Sequence, residues 1–130
     1  MSPKDLVTRC LSSHPEIRLA ILFGSVAAGR DTPDSDVDLA IAGSHPLSAR
    51  DKLGLVGELA LATGRPVDLV DLATATGPIL GRILGTGQVV HCSDHALYAE
   101  VIKRAMYDDA DMAPYRDRIL AAQRRRWIAA

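Results

Sequence analysis

Two short apolar runs, residues 17–23 and 37–42, are joined by a segment that opens on Gly24-Ser25 and closes on Asp36-Val37-Asp38, and this pairing limits what the chain can fold into. Each run has the length and residue types of a buried strand. Gly24-Ser25 lets the backbone turn sharply at the end of the first. Gly29, Pro33, Asp34 and Ser35 then form a turn-rich loop before the second.

Residues 26–28 favour a short helical segment, so the amides around Gly24 and Ser25 are expected at a helix start, where unpaired N–H groups donate to phosphate oxygens. Side chains two apart on a strand share a face, roughly 7 Å apart along the chain at a rise of about 3.3 Å per residue. Asp36 and Asp38 are therefore expected side by side, where they can share divalent cations. A third acid is expected on a neighbouring strand, and residues 65–72 offer Asp68 and Asp71. Their odd separation places them on opposite faces, so only one can join. Asp68 is favoured because it lies inside the apolar run, where a carboxylate without a cation is costly. Asp71 is expected to start the next helix, around residues 74–78.

These residues resemble the nucleotidyltransferase superfamily of DNA polymerase beta type. Its signature is Gly-Ser, a loop, Asp-x-Asp and a later strand Asp, matched here by Phe23-Gly24-Ser25, Ser35-Asp36-Val37-Asp38-Leu39 and Val67-Asp68-Leu69. The resemblance implies magnesium, as two ions held by Asp36, Asp38 and Asp68, and ATP as substrate, with its outer phosphates on Gly24 and Ser25. Asp68 would also accept a proton from the incoming hydroxyl. Members often carry Arg before the Gly that follows Gly-Ser; this chain has Ala28 there, and Arg30 is the candidate to replace it at the phosphates.

Residues 83–90, Tyr98 and Met106-Tyr107-Asp108-Asp109 look like the minimal nucleotidyltransferase antitoxins of prokaryotes. That likeness implies a HEPN-domain ribonuclease toxin as partner in a hetero-oligomeric complex, silenced when AMP passes from ATP to one of its tyrosines. Two alternatives stand beside it: a nucleotidyltransferase acting on an aminoglycoside-like small molecule, and a non-catalytic antitoxin that masks its toxin.

With 130 residues, one domain is expected, a catalytic core to about residue 92 and a helical tail over about 93–130. The fold class is α/β: a single small mixed sheet with helices on one face, leaving the acids on the other. Helices are expected from Ser2-Pro3 to residue 13, over 47–63, 77–84, 96–107 and 114–127, with an edge strand over 88–91. The helix over 47–63 would pack through Leu47, Leu53, Leu55, Val56, Leu59 and Leu61.

A formal net charge of −1, with acids and bases interspersed, argues against a general grip on nucleic acid. The cluster Arg124-Arg125-Arg126 reads as a solvated helix end, and Trp127 and Tyr115 as helix packing. No apolar run is long enough to span a membrane, and Met1-Ser2-Pro3-Lys4-Asp5 lacks the form of a secretion signal, so a cytoplasmic protein is expected, with Cys10 and Cys92 as free thiols. His91-Cys92-Ser93-Asp94-His95 reads as a strand end and a helix cap rather than a metal tract.

Overall fold

The structure, a computed structural model, describes residues 1–108, 118–122 and 124. Its element order is α1 (Pro3–Leu11), β1 (Ile17–Phe23), α2 (Gly24–Ala27), β2 (Val37–Gly43), α3 (Ala49–Thr63), β3 (Val67–Asp71), α4 (Pro78–Thr86), β4 (Gln88–Cys92) and α5 (His95–Asp108). The strands form one four-stranded sheet in the order β3-β2-β1-β4. β1 runs antiparallel to β2 and β4, whereas β2 and β3 are parallel, joined by the α3 crossover.

Local chemistry sets the helix starts. Ser2 forms a capping box with Asp5, and Pro3 occupies the first turn, where its missing N–H costs nothing. Ser48 caps α3 through the Asp51 amide, and Asp94 caps α5 by accepting from the Leu97 amide at 3.1 Å. The helix expected over 77–84 runs on to Thr86 and ends at Gly87. A Cβ there would lie 2.5 Å from the Ile83 carbonyl oxygen and 2.6 Å from Ile21, so only glycine lets α4 turn directly into β4.

The α/β class and the single mixed sheet stand, but helices cover both faces of it rather than one. Leu19, Ile21 and Phe23 of β1 pack with Leu80, Ile83, Val101 and Ile102 of α4 and α5. Ala20 and Leu22 point the other way, against Val7, Leu11, Leu55 and Leu59 of α1 and α3. A strand with apolar residues at successive positions is one covered on both sides, and β1 is buried at every position but Arg18. A second difference lies on α3. Leu55 and Leu59 are buried, but Leu53 and Leu61 are 74% and 88% exposed, because they fall on the helix face away from the sheet. Of the expected helix over 114–127, residues 118–122 and 124 are helical and Ile119 is buried; Tyr115, Arg125, Arg126 and Trp127 lie outside the described residues, as does Asp109.

His14 ties the turn before β1 to α3, with Nδ1 at 3.0 Å from Glu16 and Nε2 at 2.5 Å from Glu58. The Glu58 hydrogen bond, with a smaller contribution from Glu16, holds the imidazole pKa above its ordinary value, against partial burial.

Two predictions follow from this packing. Leu59→Ala should destabilise the protein by about 2–5 kcal/mol, and Leu61→Ala by no more than about 0.5 kcal/mol, in urea unfolding. Because the folded-state pKa of His14 is raised, its contribution is complete below about pH 6.5 and is lost as pH rises through the folded value. The melting temperature of wild type should therefore fall relative to His14→Gln over that interval.

Candidate active site

β1 ends where β2 begins, and the polar residues gather at that end of the sheet. Phe23 pairs with Asp38, so the chain leaves β1 beside the Asp38 carboxylate. Gly24 has φ +74°, and a Cβ on it would lie 2.1 Å from Asp38 Oδ2. The left-handed backbone favours glycine here, and a side chain of any size would also have to displace the Asp38 carboxylate lying against it. Ser25 follows, half-buried in α2, and its carbonyl accepts the Arg30 amide at 2.9 Å.

The parallel register of β2 and β3 pairs Asp38 with Asp68 and Ile41 with Asp71. Asp68 thus shares the face of Asp38, while Asp71 faces the opposite side. Asp68 is not enclosed by the apolar run as its neighbours suggest: its side chain is exposed. The buried acid is Asp71, which accepts the Leu47 amide on one oxygen and the Ala73 amide on the other, both at 2.9 Å. It braces the loop before α3 against the turn after β3. It does not cap α4, whose N-cap is Gly77.

Asp36 lies just ahead of β2 and is exposed, outside the ladder. Its charge still reaches Asp38. The Asp38 carboxyl is pushed above the ordinary carboxylate range, first by burial, then by the Asp68 and Asp36 charges, with Arg82 opposing. Arg82 escaped the sequence reading. The signal was present: it is the only charged residue of an otherwise apolar α4. The Arg30 side chain is exposed in the loop and makes no hydrogen bond or ion pair to another described residue.

The donor set is all carboxylate oxygen, which suits a hard divalent cation such as magnesium. Among the described residues no three His, Cys, Asp or Glu side chains enclose a metal position by themselves. Magnesium is commonly held by one or two carboxylates together with substrate phosphates, and an open set of mutually repelling acids fits that mode. In the tract from His91 to His95, Asp94 is engaged as a helix cap.

These contacts separate the acids experimentally. Asp71→Ala should lower stability by about 1–3 kcal/mol through two orphaned amides. Because the folded-state pKa of Asp38 is raised, its ionised form weakens the fold as pH rises through that value, so Asp38→Asn should melt no lower than wild type at neutral pH without metal. Gly24→Ala should both destabilise the protein and displace Asp38, with loss of nucleotide binding measured by calorimetry.

The family described as Polymerase beta, Nucleotidyltransferase matches residues 6–96, an interval holding every element from β1 to β4. A protein adenylyltransferase, MntA of Shewanella oneidensis, is 32% identical over 74 residues, covering 57% of this chain. The match spans 53% of that relative, about half its length. A toxin-antitoxin crystal structure with AMP-PNP superposes with a TM-score of 0.69 at 24% identity, over 97% of this chain and 95% of that one. A complex of a tri-AMPylated Shewanella oneidensis HEPN toxin with its MNT antitoxin gives a TM-score of 0.63 at 23% identity, over 98% and 93% of the two chains. The structural likenesses establish a common fold over nearly the whole chain. With the Gly24-Ser25 turn, Asp38 and Asp68 all inside the matched interval, the chain belongs to the polymerase beta nucleotidyltransferase family.

Proposed function

We propose that the chain is a metal-dependent adenylyltransferase that acts as an antitoxin, moving AMP from ATP to a tyrosine of a HEPN-domain toxin bound to it in the cytoplasm. The single observation that carries the chemistry is the register of Asp38 with Asp68 beside the Gly24 turn. A protein acceptor is supported by the similarity to the adenylyltransferase MntA and by the fold shared with the antitoxin of a tri-AMPylated HEPN toxin.

In this reading, the bare backbone at Gly24 admits the triphosphate, and the Ser25 hydroxyl with the adjoining amides holds its outer phosphates. Arg30 and Arg82 add positive charge at the edges of the site. Asp36, Asp38 and Asp68 are the groups that would hold magnesium, as two ions. Bound there, it would neutralise phosphate charge and favour ionisation of the acceptor hydroxyl. Asp68, exposed at the sheet edge, takes the tyrosine proton as the phenolic oxygen attacks the α-phosphorus. The bond between the α-phosphorus and the bridging oxygen breaks, and pyrophosphate leaves on the opposite side. One catalytic unit over about residues 1–92, with a helical tail beyond it, would perform this transfer.

Intact-mass spectrometry of a co-purified HEPN toxin, after incubation with the protein, ATP and magnesium, tests the proposal. Whole AMP additions are expected, with the rate reduced about a thousandfold in Asp36→Asn or Asp38→Asn. Tight binding without any mass gain would replace transfer by masking. Neither binding nor gain would favour a small-molecule acceptor.

A further inference from the structure

The loop between Ser25 and Asp36 has only local ties of its own: the Arg30 amide to the Ser25 carbonyl, the Thr32 amide to Ser35 Oγ at 2.8 Å, and the Ser35 amide to the Thr32 carbonyl at 3.0 Å. Val26 and Ala27 pack against the core, but among the described residues the hydrogen bonds that tie the stretch 31–37 to the segment ahead of β3 come from one dipeptide. Arg65 Nη1 donates to Asp31 Oδ2 at 3.0 Å and to the Thr32 carbonyl at 2.9 Å. The Pro66 carbonyl accepts the Val37 amide at 2.9 Å. Arg65-Pro66 thus grips the loop on both sides of Asp36, and lies directly ahead of the strand that carries Asp68.

Such a grip has work to do. Asp36 lies one residue ahead of the β ladder, which begins at Val37, and its charge acts repulsively on Asp38, so the pairing fixes the chain on one side of Asp36 and leaves the other side to the loop. The clamp itself is shielded: the Arg65 and Asp31 side chains are 15% and 23% exposed, which spares the pair much of the screening that weakens surface ion pairs. Arg30 and Asp36, on either side, stay exposed.

We infer that Arg65 is a positioning residue that clamps the loop through Asp31 and Thr32, holding Asp36 beside Asp38 and Asp68 for a metal-bound triphosphate. The ligand role of Asp36 rests on the function proposed above; the clamp rests on the contacts. One nitrogen makes both Arg65 contacts, so the three-donor ammonium of lysine can replace it, whereas a neutral amide cannot.

The test compares wild type with Arg65→Gln, Arg65→Lys and Asp31→Asn in two measurements. Amide hydrogen exchange over residues 31–37 should quicken in Arg65→Gln and Asp31→Asn, with strand amides of β1 unchanged, and return towards wild type in Arg65→Lys. Mn2+ affinity, read by electron paramagnetic resonance with a non-hydrolysable ATP analogue, should weaken about tenfold in the same two variants and recover in the third. Asp31→Asn leaves the arginine packing in place and carries the test if Arg65→Gln does not fold. Unchanged exchange, or a loosened loop with wild-type Mn2+ affinity, would overturn the positioning role. A wild-type protein that binds no Mn2+ would instead overturn the metal reading, a failure visible in the parent rather than in the variants.

Discussion

The site depends on the parallel pairing of β2 with β3 in a register that sets Asp38 opposite Asp68. A parallel pair needs a crossover, and α3 supplies it, seated on the sheet by Leu55 and Leu59. On the α3 side of the same two strands, Val37, Leu39 and Leu69 are buried, and each such side chain contributes about 1.5–3 kcal/mol. That burial outweighs the repulsion between two carboxylates that remain partly solvated and screened. The fold therefore holds like charges together at one end of the sheet, where a cation arriving with a triphosphate would relieve them.

The Gly24 turn completes this arrangement from the other side. β1 delivers the chain against Asp38 in a conformation suited to glycine, so the backbone of the Gly24-Ser25 turn and the carboxylate occupy adjoining positions. Asp71, one of the two acids offered by the same strand, does the opposite work. Facing away from the site, it is buried and saturated with backbone amides, and serves the packing of the loop before α3. The period of a strand alone thus turns two carboxylates three residues apart to opposite sides, one beside Asp38 and one into the packing before α3.

Much of this is legible in the amino-acid sequence. Strand limits at Ile17–Phe23 follow from a run of apolar residues closed by Gly-Ser, the α1 cap from Ser2 and Pro3, and the α5 cap from Ser93 or Asp94, of which Asp94 serves. Strand parity alone set Asp68 apart from Asp71. What failed was reasoning about burial. Asp68 was placed in the core by its apolar neighbours, yet an edge strand leaves it open to solvent. Leu53 and Leu61 were counted towards the core by residue type, although their spacing from Leu55 and Leu59 turns them outwards. The continuous apolar run of β1 already implied helices on both faces. Arg82 and the Arg65–Asp31 clamp depend on contacts across distant segments, for which local pattern carries no signal beyond a lone charge in an apolar helix.

The positions of the cation and the triphosphate decide whether these acids form the reaction centre. Crystals grown with Mn2+ and a non-hydrolysable ATP analogue, measured at the manganese absorption edge, locate both at once. The predicted result is anomalous density within coordination distance of Asp36 and Asp38, with the outer phosphates against Gly24 and Ser25 and Asp68 facing the α-phosphorus. Nucleotide bound elsewhere, or manganese absent from those carboxylates at saturating concentration, would contradict it.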